Sequence, residues 1–237
     1  FVGAGVLGSA VGMDKDVMKR LLRDAGIAIA QFIVIREKSI PRYDQVVKTL
    51  GVPFFVKPAN AGSSVGVHKV EDASQYDNAV KDAFLYDTKV LIEEAIVGRE
   101  IEVAVIGNDD PQASIPGEII PKDGFYSYEA KYVDPDGARL EIPARLSEET
   151  VERLQTVACQ VFQILSCEGL GRVDFFLKEN GEVLVNEINT LPGFTAISMY
   201  PKLWEATGVS YTELITRLIE LALERSQKEI KLRTKYI

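Results

Sequence analysis

The chain has 237 residues, enough for one large or two ordinary domains with a sizeable core. Its 46% hydrophobic and 26% charged residues are ordinary for a globular protein, and a net charge of −8 argues against a nucleic-acid backbone as the main partner. No apolar run approaches the roughly 20 residues that span a bilayer, and the apolar, glycine-rich residues 1–12 lack the basic start of a signal peptide. The first residue is Phe1, so the natural N-terminus is expected upstream. Cys159 and Cys167 have no CxxC spacing and are expected to be reduced thiols in a cytoplasmic protein.

In chain order, residues 3–8 read GAGVLG, a formal match to the dinucleotide fingerprint GxGxxG. The buried strand that should precede it is lacking, and the acidic residue at the right distance, Asp24, falls inside a helix. That helix is predicted from an Asp14 N-cap to Ala25, with Gly26 past its end and an apolar stripe of Val17, Met18, Leu21, Leu22 and Ala25. Lys15 lies in its first turn, where the helix dipole disfavours a cation. Lys15 therefore either faces an anion or is simply solvated.

Residues 52–58, VPFFVKP, are predicted as an apolar strand ending near Lys57. The following ANAGSSVGV, residues 59–67, is a candidate phosphate cradle: small residues let N–H groups approach an anion, and Ser63 and Ser64 add hydroxyl donors. The alternative is a flexible turn. His68, the one histidine, has no evident catalytic partner in the sequence. A helix from Asp72 to about Tyr86 is followed by strands at 89–96 and 100–107. Glu93, Glu94 and Glu100 near their junction are either a solvated edge or acceptors for a base and a ribose. Residues 121–137 are aromatic and aperiodic, and are expected to form a lid. Ser147 caps a helix that buries Val151, Leu154, Val157, Ala158, Val161, Phe162 and Leu165. Ser210 and Glu213 open a last helix to about Arg225.

Residues 170–193 are predicted to be a hairpin around Asn180-Gly181, the residues of a two-residue type I′ turn. Pairing outward from that turn puts Asp174 opposite Glu187 and Arg172 opposite Asn189, all on one face. Val173, Phe175, Leu177, Leu184 and Ile188 are then expected on the other. Opposed carboxylates repel, and a divalent cation between them removes that cost. Two carboxylates and an amide oxygen are hard ligands suited to Mg²⁺. A solvent-facing hairpin with Arg172 balancing the acids is the plainer alternative.

Together, GMDKDVMKRLL, VKPANAGSSVGV, VLIEEAIVGREIEVAV, FYSYEAKY, GRVDFFL and VNEINTLPGFTAISMYP resemble the D-alanine–D-alanine ligase family of the ATP-grasp superfamily over nearly the whole chain. The resemblance implies an α+β, ATP-grasp fold, two α/β subdomains with mixed or antiparallel sheets sandwiching a nucleotide. It assigns 1–92 to a central subdomain and 93–237 to a C-terminal one, with the family's N-terminal domain outside this sequence and GAGVLG as a loop. It implies ligation of two D-alanines for peptidoglycan and cell-wall synthesis, with ATP, two Mg²⁺ ions or Mn²⁺ as cofactors, and a homodimer. By position it implies ATP contacts at Lys15, Lys57, Ser64, Glu93, Glu94, Ile96, Glu100, Phe125 and Lys131. The family often has Lys where Glu94 stands, so only a backbone contact carries over there. It implies metal ligands at Asp174, Glu187 and Asn189, catalytic roles for Arg172, Gly193, Ser63 and Tyr132, and Ser198 on the carboxylate of the second D-alanine. No nucleic acid or membrane partner is expected. The rivals are another ATP-grasp ligase, including one using D-lactate, a nucleotide-binding module without catalysis, and an oxidoreductase suggested by GAGVLG. With part of the first-substrate site outside the sequence, residues 1–237 alone are expected to bind nucleotide and to ligate little.

Overall fold

A computed structural model describes residues 1–121, 138–195 and 197–233. The chain opens with two helices, α1 (Val6–Met13) and α2 (Lys15–Asp24). Strand β1 (Phe32–Ile35), helix α3 (Tyr43–Leu50), strands β2 (Phe54–Pro58) and β3 (His68–Val70), helix α4 (Ala73–Ala83) and strand β4 (Val90–Glu94) follow. Strands β5 (Arg99–Gly107), β6 (Gln112–Ala113), β7 (Gly117–Pro121) and β8 (Ala138–Glu141) come next. Helix α5 (Glu148–Ile164), strands β9 (Gly169–Leu177) and β10 (Val183–Asn189), and helices α6 (Met199–Ala206) and α7 (Tyr211–Ile230) complete the chain.

Two sheets result. The smaller runs β1-β4-β2-β3 and the larger β10-β9-β5-β7-β8, with β6 on β5; their named strand pairs are antiparallel. The small sheet buries Ile35, Phe54, Val56, Val90 and Ile92 against α3 and α4, where Tyr43, Phe54 and Tyr76 pack ring to ring at about 6 Å. The large sheet has a core on each side. Val103, Val105, Val173 and Phe175 pack with Leu154, Val161 and Phe162 of α5 and with Met18 and Leu22 of α2. On the opposite face Ala104, Ile106 and Leu170 pack with Tyr200, Leu203, Trp204 and Leu214. That second core covers only one end of its face, which leaves the other end to polar residues.

Several expectations are corrected. GAGVLG is a loop only over residues 3–5: residues 6–13 are helical, and the Gly8 Cβ position lies 2.4 Å from the Ser166 carbonyl oxygen. Val17 and Leu21 are exposed; α2 buries Met18 and Leu22, and with them Lys19. The boundary expected at 92/93 falls two residues inside β4, and Ala4, Met18, Leu22, Ile27 and Ile29 join the large sheet's core. We propose instead that the smaller lobe comprises 32–94 and that the residues before it pack with the larger lobe. Helix α7 runs on to Ile230, through charged residues expected to be a tail. Its Arg225, almost buried, donates to the Phe1 and Gly3 carbonyls and lies 4.4 Å from the Phe1 ring centroid. Both cysteines are free thiols, and burial pushes Cys167 up to about 12.

Alanine usually stabilises a helix over glycine by about 1 kcal/mol. At Gly8 the added methyl meets backbone, so Gly8→Ala is expected to destabilise by about 1–3 kcal/mol in urea unfolding. A neutral or stabilising change would show that α1 does not pack against the turn after α5.

Candidate functional site

The polar residues converge where the two sheets meet. Helix α2 is placed by its cap: Asp14 accepts from the Asp16 and Val17 N–H groups at 3.1 Å. Lys89, one residue before β4, sets its ammonium on Asp14 and 3.2 Å from Asp16. The loop at 59–67 is tied to the same place. Lys15 donates its backbone N–H to Ala59 (3.0 Å) and its ammonium to the Ala61 carbonyl (2.8 Å), while Asn60 gives two N–H groups to Asp87 at 2.8 Å. Ser63 and Ser64 have φ of 54° and 58°, left-handed conformations that non-glycine residues rarely adopt.

Lys15, Lys57, Ser63, Ser64, Glu93, Glu94, Ile96, Glu100 and Glu187 line a single cleft. Nine residues predicted from separate stretches are thus brought together. Phe55 and Phe176 line it too, on opposite sheets, and add apolar surface that was not predicted. Period-2 alternation in VPFFVKP distinguishes Phe55 from its buried neighbours and was the available signal. A larger, shallower groove beside the hairpin turn, lined by Arg99, Arg145, Thr150 and Lys178, contains no predicted site residue.

Glu93 is not placed as an acceptor for a base. It is 3% exposed, and its two oxygens meet two lysines: Oε1 the ammonium of Lys57, and Oε2 that of Lys19 at 2.6 Å. Burial works to raise the Glu93 pKa, but the two ammonium groups outweigh it and hold the carboxyl below its ordinary range. Lys19 is wholly buried, which pushes its pKa down against the pull of Glu93. Lys19 was not predicted, because a lysine in an amphipathic helix ordinarily reads as solvated. The Glu94 carboxylate is also engaged, accepting the Gln31 N–H at 2.7 Å.

On the large sheet, Asp174 pairs with Glu187 and Arg172 with Asn189, as the hairpin reading requires. The route differs. Gly181 has positive φ but Asn180 does not; the loop has three residues, 179–181, closed by Lys178 and Glu182. That shifts the register by one near the turn, pairing Val183 with Leu177 and Val185 with Phe175. An irregularity at Asn186 then restores the predicted register. Leu184 therefore lies opposite Phe176 on the cleft face, contrary to expectation, and Val185 takes its place in the core.

Strand β5 adds an acidic residue to this face, because Glu102 pairs with Asp174. Glu102, Asp174 and Glu187 form one row across three strands. Arg172 makes a two-pronged contact with Asp174, Nε to Oδ1 at 2.7 Å and Nη2 to Oδ2 at 2.8 Å, and its Nε lies 3.0 Å from Glu102 Oε2. Burial opposes the charge of Arg172, yet the neighbouring carboxylates outweigh that and raise its pKa. Asn189 donates to Asp174 at 2.9 Å, and Lys15 lies 3.3 Å from Glu187. Asp174, Glu187 and the Asn189 carbonyl are a donor set suited to a hard divalent cation. Among the described residues no cluster of three or more His, Cys, Asp or Glu forms a ready-made metal site.

Beyond the hairpin, Ser198 accepts the Thr195 N–H at 3.0 Å, and its Oγ is 2.9 Å from where a Cβ on Gly193 would lie. Gly193 and Ser198 are thus in contact, and a side chain at 193 would displace the hydroxyl. Phe125, Lys131 and Tyr132, with the expected lid, lie outside the described residues. His68 pairs with Asp82 of α4 at 2.6 Å, on the helix-covered face of the small sheet, and does not line the cleft.

Comparison with known proteins agrees with this arrangement. A family model described as D-ala D-ala ligase C-terminus matches residues 21–220. The D-alanine–D-alanine ligase of Oceanobacillus iheyensis is 59% identical over 99% of this chain, and ligase A of Escherichia coli K12 is 56% identical over the same share. Among solved structures, the D-alanine–D-alanine ligase of Coxiella burnetii superposes with a TM-score of 0.87 at 41% identity, covering 97% of this chain and 62% of that one. The VanG D-Ala:D-Ser ligase of Enterococcus faecalis gives 0.85 at 36%, covering 93% and 64%. The chain spans 64% and 65% of the lengths of the two curated relatives. Two antiparallel sheets with a lysine-lined cleft between them are here the α+β architecture of an ATP-grasp protein. The chain belongs to the D-alanine–D-alanine ligase family.

Glu93 contributes stability that is fully present above its ordinary pKa of 4.5 and is lost as pH falls through its lowered folded-state value. Lys19→Met removes one of its two partners. The variant is expected to lose about 3–5 kcal/mol at pH 7, with a smaller gap to wild type below about pH 4.5. An equal loss at pH 3 and pH 7 in denaturant unfolding would assign the effect to packing alone.

Proposed function

We propose that this protein joins two D-alanines into D-alanyl-D-alanine at the expense of ATP. The observation that carries the reading is the single cleft that gathers Lys15, Lys57, Ser63, Ser64, Glu100 and Glu187 beside the Asp174–Glu187 pair. ATP phosphorylates the carboxylate of the first D-alanine, giving an acyl phosphate and ADP. The amine of the second attacks that carbonyl, and phosphate leaves with its bonding electron pair.

Positioning and charge neutralisation dominate such transfers. Lys15 and Lys57 hold phosphate oxygens, and the loop at 59–67 covers them through Ser63 and Ser64. Phe55, Phe176 and Ile96 give the base an apolar slot, the backbone at Glu94 reads its edge, and Glu100 takes the ribose. Glu93 fixes Lys57 rather than touching the base. Asp174, Glu187 and Asn189 would hold Mg²⁺ or Mn²⁺, which would supply neutralisation of phosphate charge. Arg172 and the Gly193 N–H face the oxyanion of the attacked carbonyl, a contribution of about 3–4 kcal/mol per donor. Ser198 orients the second substrate's carboxylate. Roles for Phe125, Lys131 and Tyr132 rest on family resemblance alone. A cytoplasmic homodimer serving cell-wall synthesis belongs to the same reading, and the two free thiols suit a reducing compartment.

A second reading keeps the site and changes the acceptor. The likeness to a D-Ala:D-Ser ligase favours testing D-serine as the second amino acid.

The test is phosphate release from Mg²⁺-ATP by the intact protein with D-alanine alone, then with D-alanine plus D-serine or D-lactate, followed by product mass. Release that depends on D-alanine and yields the dipeptide supports the proposal. ATP binding without release under any of these conditions would sink it and leave a nucleotide-binding module. Arg172→Ala is expected to keep ATP affinity within about threefold and to lower turnover by 100-fold or more, the cost of an oxyanion donor. Unchanged turnover would remove Arg172 from the chemistry.

A further inference from the structure

Arg172 has more carboxylate around it than one contact requires. Its Nε–H and an Nη2–H both go to Asp174, in short bonds of 2.7 and 2.8 Å. Glu102 lies directly opposite Asp174 on β5, with Oε2 3.0 Å from the same Nε. Glu102 is 5% exposed and Arg172 is largely buried, so both are poorly solvated. Asp174 is meanwhile claimed twice more. Asn189 donates to its Oδ2, and a cation shared with Glu187 would need the lone pairs that now accept these hydrogen bonds.

A buried guanidinium stripped of its counter-charge is costly. A site that moved Asp174 from Arg172 to a cation would therefore bind that cation weakly unless a second carboxylate were ready. We propose that Glu102 is that second carboxylate: a positioning residue that takes over Arg172 when a divalent cation draws on Asp174. The proposal rests on the reading of Asp174 and Glu187 as cation ligands. In it, the Nε–H turns from Asp174 Oδ1 to Glu102 Oε2, a change of acceptor between two oxygens already within 3.0 Å. The guanidinium stays near its present place, its Nη2–H and Asn189 remain on Asp174 Oδ2, and Asp174 Oδ1 becomes available to the cation. No bond other than hydrogen bonds changes and no proton is transferred.

Glu102 as a plain structural acid would alter stability without coupling to Arg172 in metal binding. Glu102 as a handover partner must couple. Mn²⁺ affinity, read by electron paramagnetic resonance on the protein with ADP and no amino acid, separates the two in a double-mutant cycle. E102Q is expected to weaken Mn²⁺ about 10-fold or more, the usual scale for a group one step removed from a ligand. In the R172Q background the same change is expected to cost less than about threefold, because no guanidinium then competes for Asp174. Equal losses in the two backgrounds, or no loss in either, would overturn the proposal while leaving the ligase reading in place. Failure of the wild type to bind Mn²⁺ at all would overturn both. Unfolding temperatures of the variants accompany the titrations. The unmutated protein provides a second readout that needs no variant to fold. The ¹⁵Nε resonance of Arg172 should shift on adding Mg²⁺ with ADP, and an unchanged resonance would also overturn the handover.

Discussion

The structure depends on one buried charge arrangement, Lys19–Glu93–Lys57. Glu93 lies near the end of β4 in the smaller lobe, Lys57 lies on the neighbouring β2, and Lys19 comes from α2, whose Met18 and Leu22 are committed to the larger lobe's core. A carboxylate with a lysine on each oxygen therefore fastens a helix of one lobe to a strand of the other. Lys89 repeats the device nearby, with its ammonium on Asp14 at the cap of the same helix. Neither contact serves as cheap stabilisation, since removing such groups from water offsets most of the Coulomb gain. What they provide is geometric definition. With α2 clamped on both sides, the ammonium of Lys15 is held at the cleft by the Ala61 carbonyl and Glu187, and that of Lys57 by Glu93.

The larger sheet supplies the other half of the site by dividing one of its faces. Toward one end, Ala104, Ile106 and Leu170 are covered by α6 and α7. Toward the other, the same alternating positions carry Glu102, Arg172 and Asp174. The strands are continuous across the change, so the rigidity that the apolar end acquires from packing reaches the charged end through backbone hydrogen bonds. Sites built on strands are more precise than sites on loops, and the carboxylate row is spaced by the sheet's own repeat.

Much of this was legible beforehand, and the reasons differ by residue. Asp174 opposite Glu187 was readable because side-chain alternation and hairpin pairing are local rules. The prediction nevertheless assumed a two-residue turn, and it survived because a longer turn and the irregularity at Asn186 cancel. Leu184 records the cost of that cancellation: between the two irregularities every side chain lies on the face opposite to the one predicted. Glu102 follows from pairing β5 with β9, a contact between segments some 70 positions apart that no local rule specifies. Lys19 was illegible for a stronger reason. Its position on α2 is ordinary for a solvated lysine, and only the arrival of β4 turns it into a buried one.

These misses share a physical origin that bears on the chemistry. The groups seen in the sequence, Lys15, Lys57, Asp174 and Glu187, line the cleft or stand at its edge. The groups not seen, Lys19 and Glu102, stand one contact behind and hold a charge that would otherwise be free to reorient. Two of the visible charges share a partner with a hidden one: Lys57 and Lys19 share Glu93, and Asp174 and Glu102 share Arg172. In both places three charges, buried or half-buried, leave an excess of one. Two lysines about Glu93 leave a positive excess on the small-lobe wall of the cleft, and two carboxylates about Arg172 leave a negative one on the large sheet. A polyphosphate carried with a divalent cation has the complementary pattern, its oxygens suited to the first and its metal to the second. Under the proposed function, the opposed excesses would orient such a ligand before any side chain has to move.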